Sequence, residues 1–419
     1  MVTLPSPIPA ARAAAARARP GAWVGAQTSS RSPLSRAVAV SGSSAALEPL
    51  TATARVTGDR LEVWAPTQAP GLARAAAARA TGIAEILVTS YPRLVGSGYG
   101  RKIETDAIEQ AAVIAQKVGR PVQLTWPRIE EIKRDSYRAP AIGSMTAVFG
   151  PGALLTGWQA RIAAPSATAA TAERLGLPRL GGTDASAVAG AVPPYSIPSM
   201  VVDYLPVEIG FQTGLWRSGA HSYNCFFTES FVDELARRAG IEPLSFRMQM
   251  LGTNPRLARC LSTAAALGGW DGGQPGSNMG LACHSAFGSH IAVLVEVAVT
   301  ADQRVRVLRA VAAVDCGRII HPEIVKQLVE GGICYGIAGA TGNAIEIRDG
   351  QPTARTIADL GLPLLADSPE VSVEILESQE EPGGVTELAV PPAAPAVANA
   401  LYSLTGRRLR SLPLVVGGR

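Results

Sequence analysis

The run AEILVTSYPRLVGSGYGRKIETDAIEQAAVIAQKV, Ala84 to Val118, sets a strand, a glycine-rich turn and a helix in immediate succession. AEILVTS, Ala84 to Ser90, has the short apolar character of a buried strand. GSGYGRK, Gly96 to Lys102, leads into a helix over Glu104 to Val118, whose Ala107, Ile108, Ala111, Ala112, Ile114 and Ala115 share one broad face. Gly119 and Pro121 stop that helix, and Val122 to Trp126 read as the next strand. Glycine backbone at a helix N-terminus can approach a phosphate closely, and Arg101 and Lys102 would add positive charge. A Walker loop is excluded, because no Gly-Lys-Ser/Thr follows. A dinucleotide loop needs an acid at the end of the next strand, where Trp126-Pro127-Arg128 stand instead. An anion site and a glycine turn that merely packs both remain open on these residues alone.

Outward from this run, Arg60 to Ala65 read as a strand and Gly71 to Ala80 as an Ala-rich helix. Ser144 to Ile162 form a hairpin turning at Gly150-Pro151-Gly152. Pro165 to Pro194, rich in Ala, Thr and Gly, reads as a surface excursion. Phe227 to Ala239 is an amphipathic helix with Glu229, Asp233, Glu234, Arg237 and Arg238 on its polar side, and Pro243 to Leu251 is another helix. Beyond the glycine-rich stretch Gly268 to Gly280, His290 to Thr300 and Val305 to Val314 read as paired strands. Helix Pro322 to Val329, strand Val371 to Leu376 and helix Ala393 to Leu404 follow. Mixed strands and helices in this order predict α+β layers with mixed sheets. The expected division is a poorly ordered leader over 1–45, a first domain over 46–270 and a second over 280–419.

Composition narrows the function classes. The chain has 419 residues, enough for two or three cores, with 47% hydrophobic and 17% charged residues. A formal charge of +4 with scattered Lys and Arg gives no basic stripe, which argues against a nucleic-acid partner. Cys225, Cys260, Cys283, Cys316 and Cys334 form no C-x-x-C pair, and His221, His284, His290 and His321 have no metal-ligand spacing, so no protein-ligated metal is expected. No apolar run approaches the roughly 18–20 residues of a membrane span. Residues 1–47 contain no Asp or Glu, and arginines interrupt each candidate signal core, so the compartment stays unassigned between cytoplasm and periplasm.

Five separated motifs carry a family resemblance. LEVWAPTQ, Leu61 to Gln68, resembles the strand-and-glutamine segment of molybdenum hydroxylase large subunits, and GSGYGRK resembles their GGGFGRK/R loop. LWRSGAHSYN-x-FFTESFVDELA, Leu215 to Ala236, is similar to their WRS-x-G loop and ESF-x-DELA helix. AVDCGRIIHPEIVKQLVEGGICYGI, Ala313 to Ile337, resembles the VDCG-x-x-x-NP-x-x-x-x-Q-x-EGG-x-x-x-G block. PGGVTELAVPPAAPAVANAL, Pro382 to Leu401, resembles the PGG-x-GEPGVPP-x-APAVANA signature. The similarity runs in family order from about Ala46 to Leu414. The family is that of the aldehyde oxidase/xanthine dehydrogenase molybdenum-cofactor-binding subunit, with the isoquinoline oxidoreductase group nearest.

The resemblance implies mixed-sheet molybdopterin-binding domains and hydroxylation of an aldehyde or N-heterocycle, with water as oxygen source. It implies a molybdenum–molybdopterin cofactor, as the cytosine dinucleotide, and a small iron–sulfur partner subunit, since the chain has no cysteine cluster of its own. Glu387 matches the catalytic glutamate, the base that takes a proton at the metal centre. Gln68 matches the glutamine beside the metal's oxo group. Gly96, Ser97, Gly98 and Tyr99 match one cofactor loop, Arg217, Ser218 and Gly219 a second, and Phe287, Gly288 and Ser289 the FGS turn before a strand. Gln327 and the Gly331-Gly332 pair fit packing roles.

The sequence also departs from the pattern. Thr386 stands where relatives have glycine, and a β-branched residue resists φ > 0. Leu388-Ala389 replaces Pro-Gly, which should loosen the same turn, and Ser97 adds bulk in the first loop. No Gly-Gln-Gly segment is present, so part of the pterin pocket is expected to be missing: either a separate chain supplies the amino-terminal half, or the chain is a truncated remnant. Two other functions remain open: a non-catalytic relic or assembly module, and an NAD(P)-dependent dehydrogenase using the 96–100 loop.

Overall fold

Residues 35–39, 46–178 and 183–417 are described by a computed structural model, the first stretch for backbone alone. Thr51–Thr57 and Arg60–Ala65 pair antiparallel around Gly58, and their buried faces alternate as a half-covered sheet requires. Helix Pro70–Thr81 then crosses over, so that Val88–Pro92 returns parallel to Arg60–Ala65. The glycine loop and helix Asp106–Val118 lead to Val122–Thr125, which pairs antiparallel with Thr51–Thr57 at the far edge. Ala73, Ala77, Ile108, Ala111 and Ala115 of the two helices cover Ala54, Leu61 and Val63 of this four-stranded sheet. The strand before the loop and the strand after its helix therefore occupy opposite edges, the second antiparallel to its neighbour. A dinucleotide fold needs them parallel in one βαβ unit, so the nicotinamide-dependent alternative fails on topology.

A second, mixed sheet runs Ser411–Leu412, Ser35–Ala39, Ala141–Phe149, Leu155–Ala164, Ser199–Pro206. The hairpin expected around Gly150-Pro151-Gly152 is present between its middle strands. Of the leader expected over 1–45, only Ser35–Ala39 lies among the described residues, and it is a strand of this sheet. A third sheet runs Met279–Ala286, Ser289–Val299, Val305–Asp315, Glu370–Ile375, with its last strand parallel to the third. The α+β reading with mixed sheets holds.

Helix Val390–Thr405 packs against strands Met279–Ala286 and Ser289–Val299 of the third sheet and against helices Gly219–Ala239 and Pro322–Thr341. Pro391 and Pro392 sit in its first turn, where their missing N–H groups have no intrahelical partner to lose. Its alanines leave room for close neighbours. A Cβ on Gly280 would fall on the Ala400 amide and the Ala396 carbonyl, and one on Gly336 would lie 2.6 Å from the Ala393 Cβ. Strand Met279–Ala286 and helix Pro322–Thr341 thus approach the helix backbone to backbone. Gly332, 2.8 Å from the Ala389 Cβ by the same measure, has the packing role expected of it.

Several elements differ from the sequence reading. The Phe227 helix begins at Gly219, and Glu229 and Asp233 on its supposed polar side are each 1% exposed. They are held by Arg247 and Arg408, from elements that periodicity along one helix cannot register. Of the stretch Pro165 to Pro194 expected as a surface excursion, part of what is described packs inward: Thr171, Ala172, Leu175, Ala187 and Ala191 are buried, and the Ala187 carbonyl accepts hydrogen bonds from Tyr223 and Asn224. Helix Pro322–Thr341 is longer than expected, because Gly331, Gly332, Gly336 and Gly339 dilute its apolar pattern while permitting its packing.

Candidate active site

Four turns from distant parts of the chain meet above these layers. The first is Gly96–Gly100. The Gly98 amide donates to the Gly96 carbonyl at 2.7 Å and the Gly96 amide to Glu48 at 2.6 Å. Gln68, just past the Arg60–Ala65 strand, accepts from the Gly100 amide on its Oε1 at 3.2 Å, while its backbone amide donates to the Lys102 carbonyl. Tyr99 has φ 50° and Gly100 φ 106°. A Cβ on Gly100 would collide with the Leu215 carbonyl, so glycine is required for the second turn to dock. Arg101 and Lys102 do not reinforce the loop's charge. Arg101 pairs with Asp135 at 2.5 Å, and Lys102 reaches the Pro49 carbonyl and Glu48, both side chains being buried.

The second turn, Leu215–Gly219, is tied to the first by the Arg217 amide donating to the Tyr99 carbonyl at 2.8 Å. It is also tied to the fourth turn. Arg217 Nε donates to the Thr386 carbonyl at 2.6 Å, and its Nη2 to the Leu328 carbonyl at 3.0 Å. The Ser218 hydroxyl donates to the Glu387 carbonyl at 2.6 Å. Arg217 is thus a structural tie, its planar fork spent on two carbonyls. The third turn, Phe287-Gly288, is a two-residue hairpin with both φ values positive, the form such loops favour. The Phe287 carbonyl accepts from the Gly384 amide at 2.8 Å. Ser289 is buried, with its hydroxyl unpartnered among the described residues.

Thr386 is not among the residues of positive φ, so the strain expected at the glycine-to-threonine change is absent. Nor is the following turn loose: the Leu388 amide donates to the Val385 carbonyl, and Leu388 and Ala389 are fully buried.

Glu387 faces a cavity of about 240 Å³ whose walls include Ser218, His221, Tyr223, Phe287 and Ala187. Burial raises its pKa above the ordinary carboxylate value, against the opposing pull of the Ser218 amide and of Arg217 and Arg138. Of the residues expected at the site, Ser218, Gly219, Phe287 and Glu387 line this cavity. Gln68, Gly96, Ser97, Gly98, Gly288 and Ser289 do not. They belong to the surrounding turns, with Gln68 reaching Glu387 only through Gly100, Tyr99 and Arg217. A second, more apolar cavity of about 340 Å³ lies beside Tyr99, Arg138 and Tyr335.

Two contributors went unnoticed in the sequence. His221, two residues beyond Gly219, stands in the first turn of its helix and lies 3.0 Å from His284. Arg138 donates to the Arg217 carbonyl at 2.9 Å and to the Tyr335 hydroxyl at 3.2 Å, bracing the second turn between the two cavities. A histidine pair separated by 63 positions carries no spacing signature that would reveal it.

Known proteins share this fold. Models described as molybdopterin cofactor-binding domains match residues 33–251 and 265–369. The beta subunit of isoquinoline 1-oxidoreductase from Brevundimonas diminuta is 30% identical over 378 residues, 88% of this chain and 48% of that protein. A nicotinate dehydrogenase subunit from Pseudomonas putida is 26% identical, over 88% of this chain and 33% of its own. The chain therefore spans half or less of the length of these relatives. Among solved structures, quinoline 2-oxidoreductase from Pseudomonas putida 86 superposes with a TM-score of 0.77 at 14% identity, covering 92% of this chain and 75% of that one. The aldehyde oxidoreductase of Desulfovibrio gigas gives 0.74, covering 91% and 60%. With both domain models matched in order, over the first three turns though not the one that carries Glu387, the chain belongs to the molybdopterin cofactor-binding family of xanthine dehydrogenase/aldehyde oxidase-type large subunits.

Proposed function

We propose that this chain is the molybdopterin-binding, substrate-converting part of a hydroxylase that oxidises an aldehyde or N-heterocycle with water as oxygen source. The observation that carries the reading is Glu387: a half-buried carboxylate of raised pKa, fixed through its backbone by Ser218 and facing a cavity with aromatic walls. Such a group takes up a proton near neutral pH more readily than an exposed glutamate.

The residues fit the cofactor. The Ser97 and Tyr99 amides, and Nε2 of Gln68, have no acceptor among the described residues, so they can donate to the oxygen atoms of a bound group. The buried Ser289 hydroxyl is another unspent polar group on the same surround. Gly96, Ser97, Gly98, Tyr99, Gln68, Ser218, Gly219, Phe287, Gly288 and Ser289 would hold molybdopterin, in its cytosine dinucleotide form, with Arg217 bracing the turns that carry them. When bound, the cofactor supplies the redox metal that accepts the substrate's electrons and the oxygen that water provides. Within that frame Glu387 takes the proton, Ser218 and Arg217 fix its backbone, and Phe287 and His221 confine the substrate. Cys225, Cys260, Cys283 and Cys316 are buried single thiols, which supports electron exit through a separate iron–sulfur protein. Among the described residues no helix is long and apolar enough to cross a membrane.

Two domains, 46–270 and 280–419, would clasp the cofactor, and a separate chain would supply the remaining length of the relatives. The test is co-purification with the products of adjacent reading frames, followed by metal analysis and turnover of aldehydes and N-heterocycles with an artificial electron acceptor. Molybdenum near one equivalent with turnover supports the reading. Protein that never carries molybdenum overturns it in favour of an assembly module.

A further inference from the structure

Two wall residues of the Glu387 cavity carry a neutral ring N–H: Trp216 spends its own on the Ser136 carbonyl at 2.6 Å, and the ring of His221 is not free to choose its proton. His221 Nδ1 and His284 Nε2 lie 3.0 Å apart, with ring planes 77° to one another. Burial pushes both imidazoles down, His221 to about 4 and His284 to about 3, so both are neutral at pH 7. Two neutral rings joined through one hydrogen bond hold a single proton between the facing nitrogens. Were that proton on His221 Nδ1, the proton of His284 would sit on its own Nδ1, where no acceptor stands among the described residues, in a side chain only 3% exposed. An N–H without a protein acceptor in so enclosed a ring is less favourable than a lone pair without a donor. Placing the proton on His284 Nε2 avoids it and leaves His221 protonated on Nε2.

Other contacts fix the ring in place. The Phe287 ring centroid is 4.9 Å from that of His221. Gly190 leaves no room behind it, since a Cβ there would lie 2.9 Å from His221 Nδ1. With its Nδ1 edge taken by His284, His221 has only its Nε2 edge left for the cavity that Glu387 also faces.

We propose that His221, set in one tautomer by His284, donates its Nε2–H to the acceptor atom of the substrate, a ring nitrogen or carbonyl oxygen, and so turns the reacting carbon towards Glu387. His284 is a positioning residue that acts through His221. The proposal rests on the reading that this cavity receives the substrate, and it restricts that substrate to flat neutral molecules bearing an acceptor.

The experiment uses the protein as purified with its partners, labelled with 15N-histidine. Isoquinoline and naphthalene serve as a matched pair of probes, with and without an acceptor. The expected spectrum shows His221 protonated on Nε2 alone, a shift of that resonance on adding isoquinoline but not naphthalene, and a mixture of tautomers in His284→Leu. In turnover, His221→Phe should raise KM for acceptor-bearing substrates about tenfold with kcat little changed, and His221→Gln should restore part of the loss. A His221 protonated on Nδ1, or equal responses to the two probes, overturns the proposal. If the wild type binds isoquinoline through His221 but turns nothing over, the hydroxylase reading fails while the donor assignment stands. If it turns substrates over with KM indifferent to His221→Phe, the donor assignment fails alone.

Discussion

The Ser218 hydroxyl donates to the Glu387 carbonyl at 2.6 Å, joining turns 169 positions apart. Ser218 is itself in the left-handed region at φ 73°, which a non-glycine residue adopts at a cost of roughly 1–2 kcal/mol. Two substitutions separate these effects. Ser218→Ala loses the hydroxyl and keeps the strain, so its unfolding free energy should fall by about 1 kcal/mol. Ser218→Gly also loses the hydroxyl but relaxes the backbone, so its stability should stay near wild type. Both should lower kcat in steady-state assays, since Glu387 is released from its anchor in each. Full activity in Ser218→Gly would show that the hydroxyl does not aim the carboxylate.

Glu387→Gln should abolish turnover by about a hundredfold or more while preserving the fold and the molybdenum content. The base works when ionised, so kcat/KM of the wild type should rise with pH through the raised pKa, placing the acid limb above the 4.5 of an ordinary glutamate. Stability follows the same sign. A carboxyl whose pKa is higher folded than unfolded favours the fold at low pH, and that contribution is lost as pH rises through the folded value. Glu387→Gln should therefore lose less stability between pH 4 and 8 than the wild type, a comparison that denaturant melts at several pH values can make.

How far the sequence went is clearest at this site. The strand Arg60–Ala65, the 3.6-residue stripe of Asp106–Val118 and the Gly150 hairpin are local patterns, and each is present in the structure, whereas the strand Thr51–Thr57 went unread. Glu387, Ser218 and Phe287 were found through motif resemblance, and they do share a cavity. What stayed hidden was pairing at a distance. Nothing near His221 announces His284, and nothing near Arg138 announces the Arg217 carbonyl. Nor could composition show that the alanine- and threonine-rich stretch after Pro165 folds inward, since small residues suit a turn on the surface as well as a wall of a cavity.

Glu229 gives the sharpest case of a charge misread as surface. Its carboxylate accepts from Tyr195 at 2.5 Å, Arg247 Nε at 3.0 Å and the Cys283 amide at 3.0 Å, and both it and Arg247 are almost wholly buried. Glu229→Ala strands the guanidinium and two donors, and breaking a buried pair from one side costs roughly 3–5 kcal/mol. The variant should be insoluble or melt well below wild type. Glu229→Gln, which keeps one acceptor, should fall between them. A melting temperature unchanged in Glu229→Ala would mean that water reaches Arg247, contrary to its burial.

Close packing at the centre of the molecule bears on the site as well. Gly280 lies under helix Val390–Thr405, where a Cβ would meet the Ala400 amide and the Ala396 carbonyl, backbone atoms that cannot swing aside. Gly280→Ala must push strand and helix apart, and because the helix carries Val390 just beyond Glu387, the displacement reaches the site. A loss of stability above about 1–3 kcal/mol is expected, as for overpacked cores, together with reduced molybdenum content. Gly339 is the control. It sits inside helix Pro322–Thr341 with nothing within 4 Å of its would-be Cβ, so Gly339→Ala adds only helix propensity and should stabilise by roughly 1 kcal/mol. Thermal melts of the two variants should move in opposite directions. If Gly280→Ala melts with the wild type, the strand and helix do not touch as described, and the route from the central helix to Glu387 loses its support.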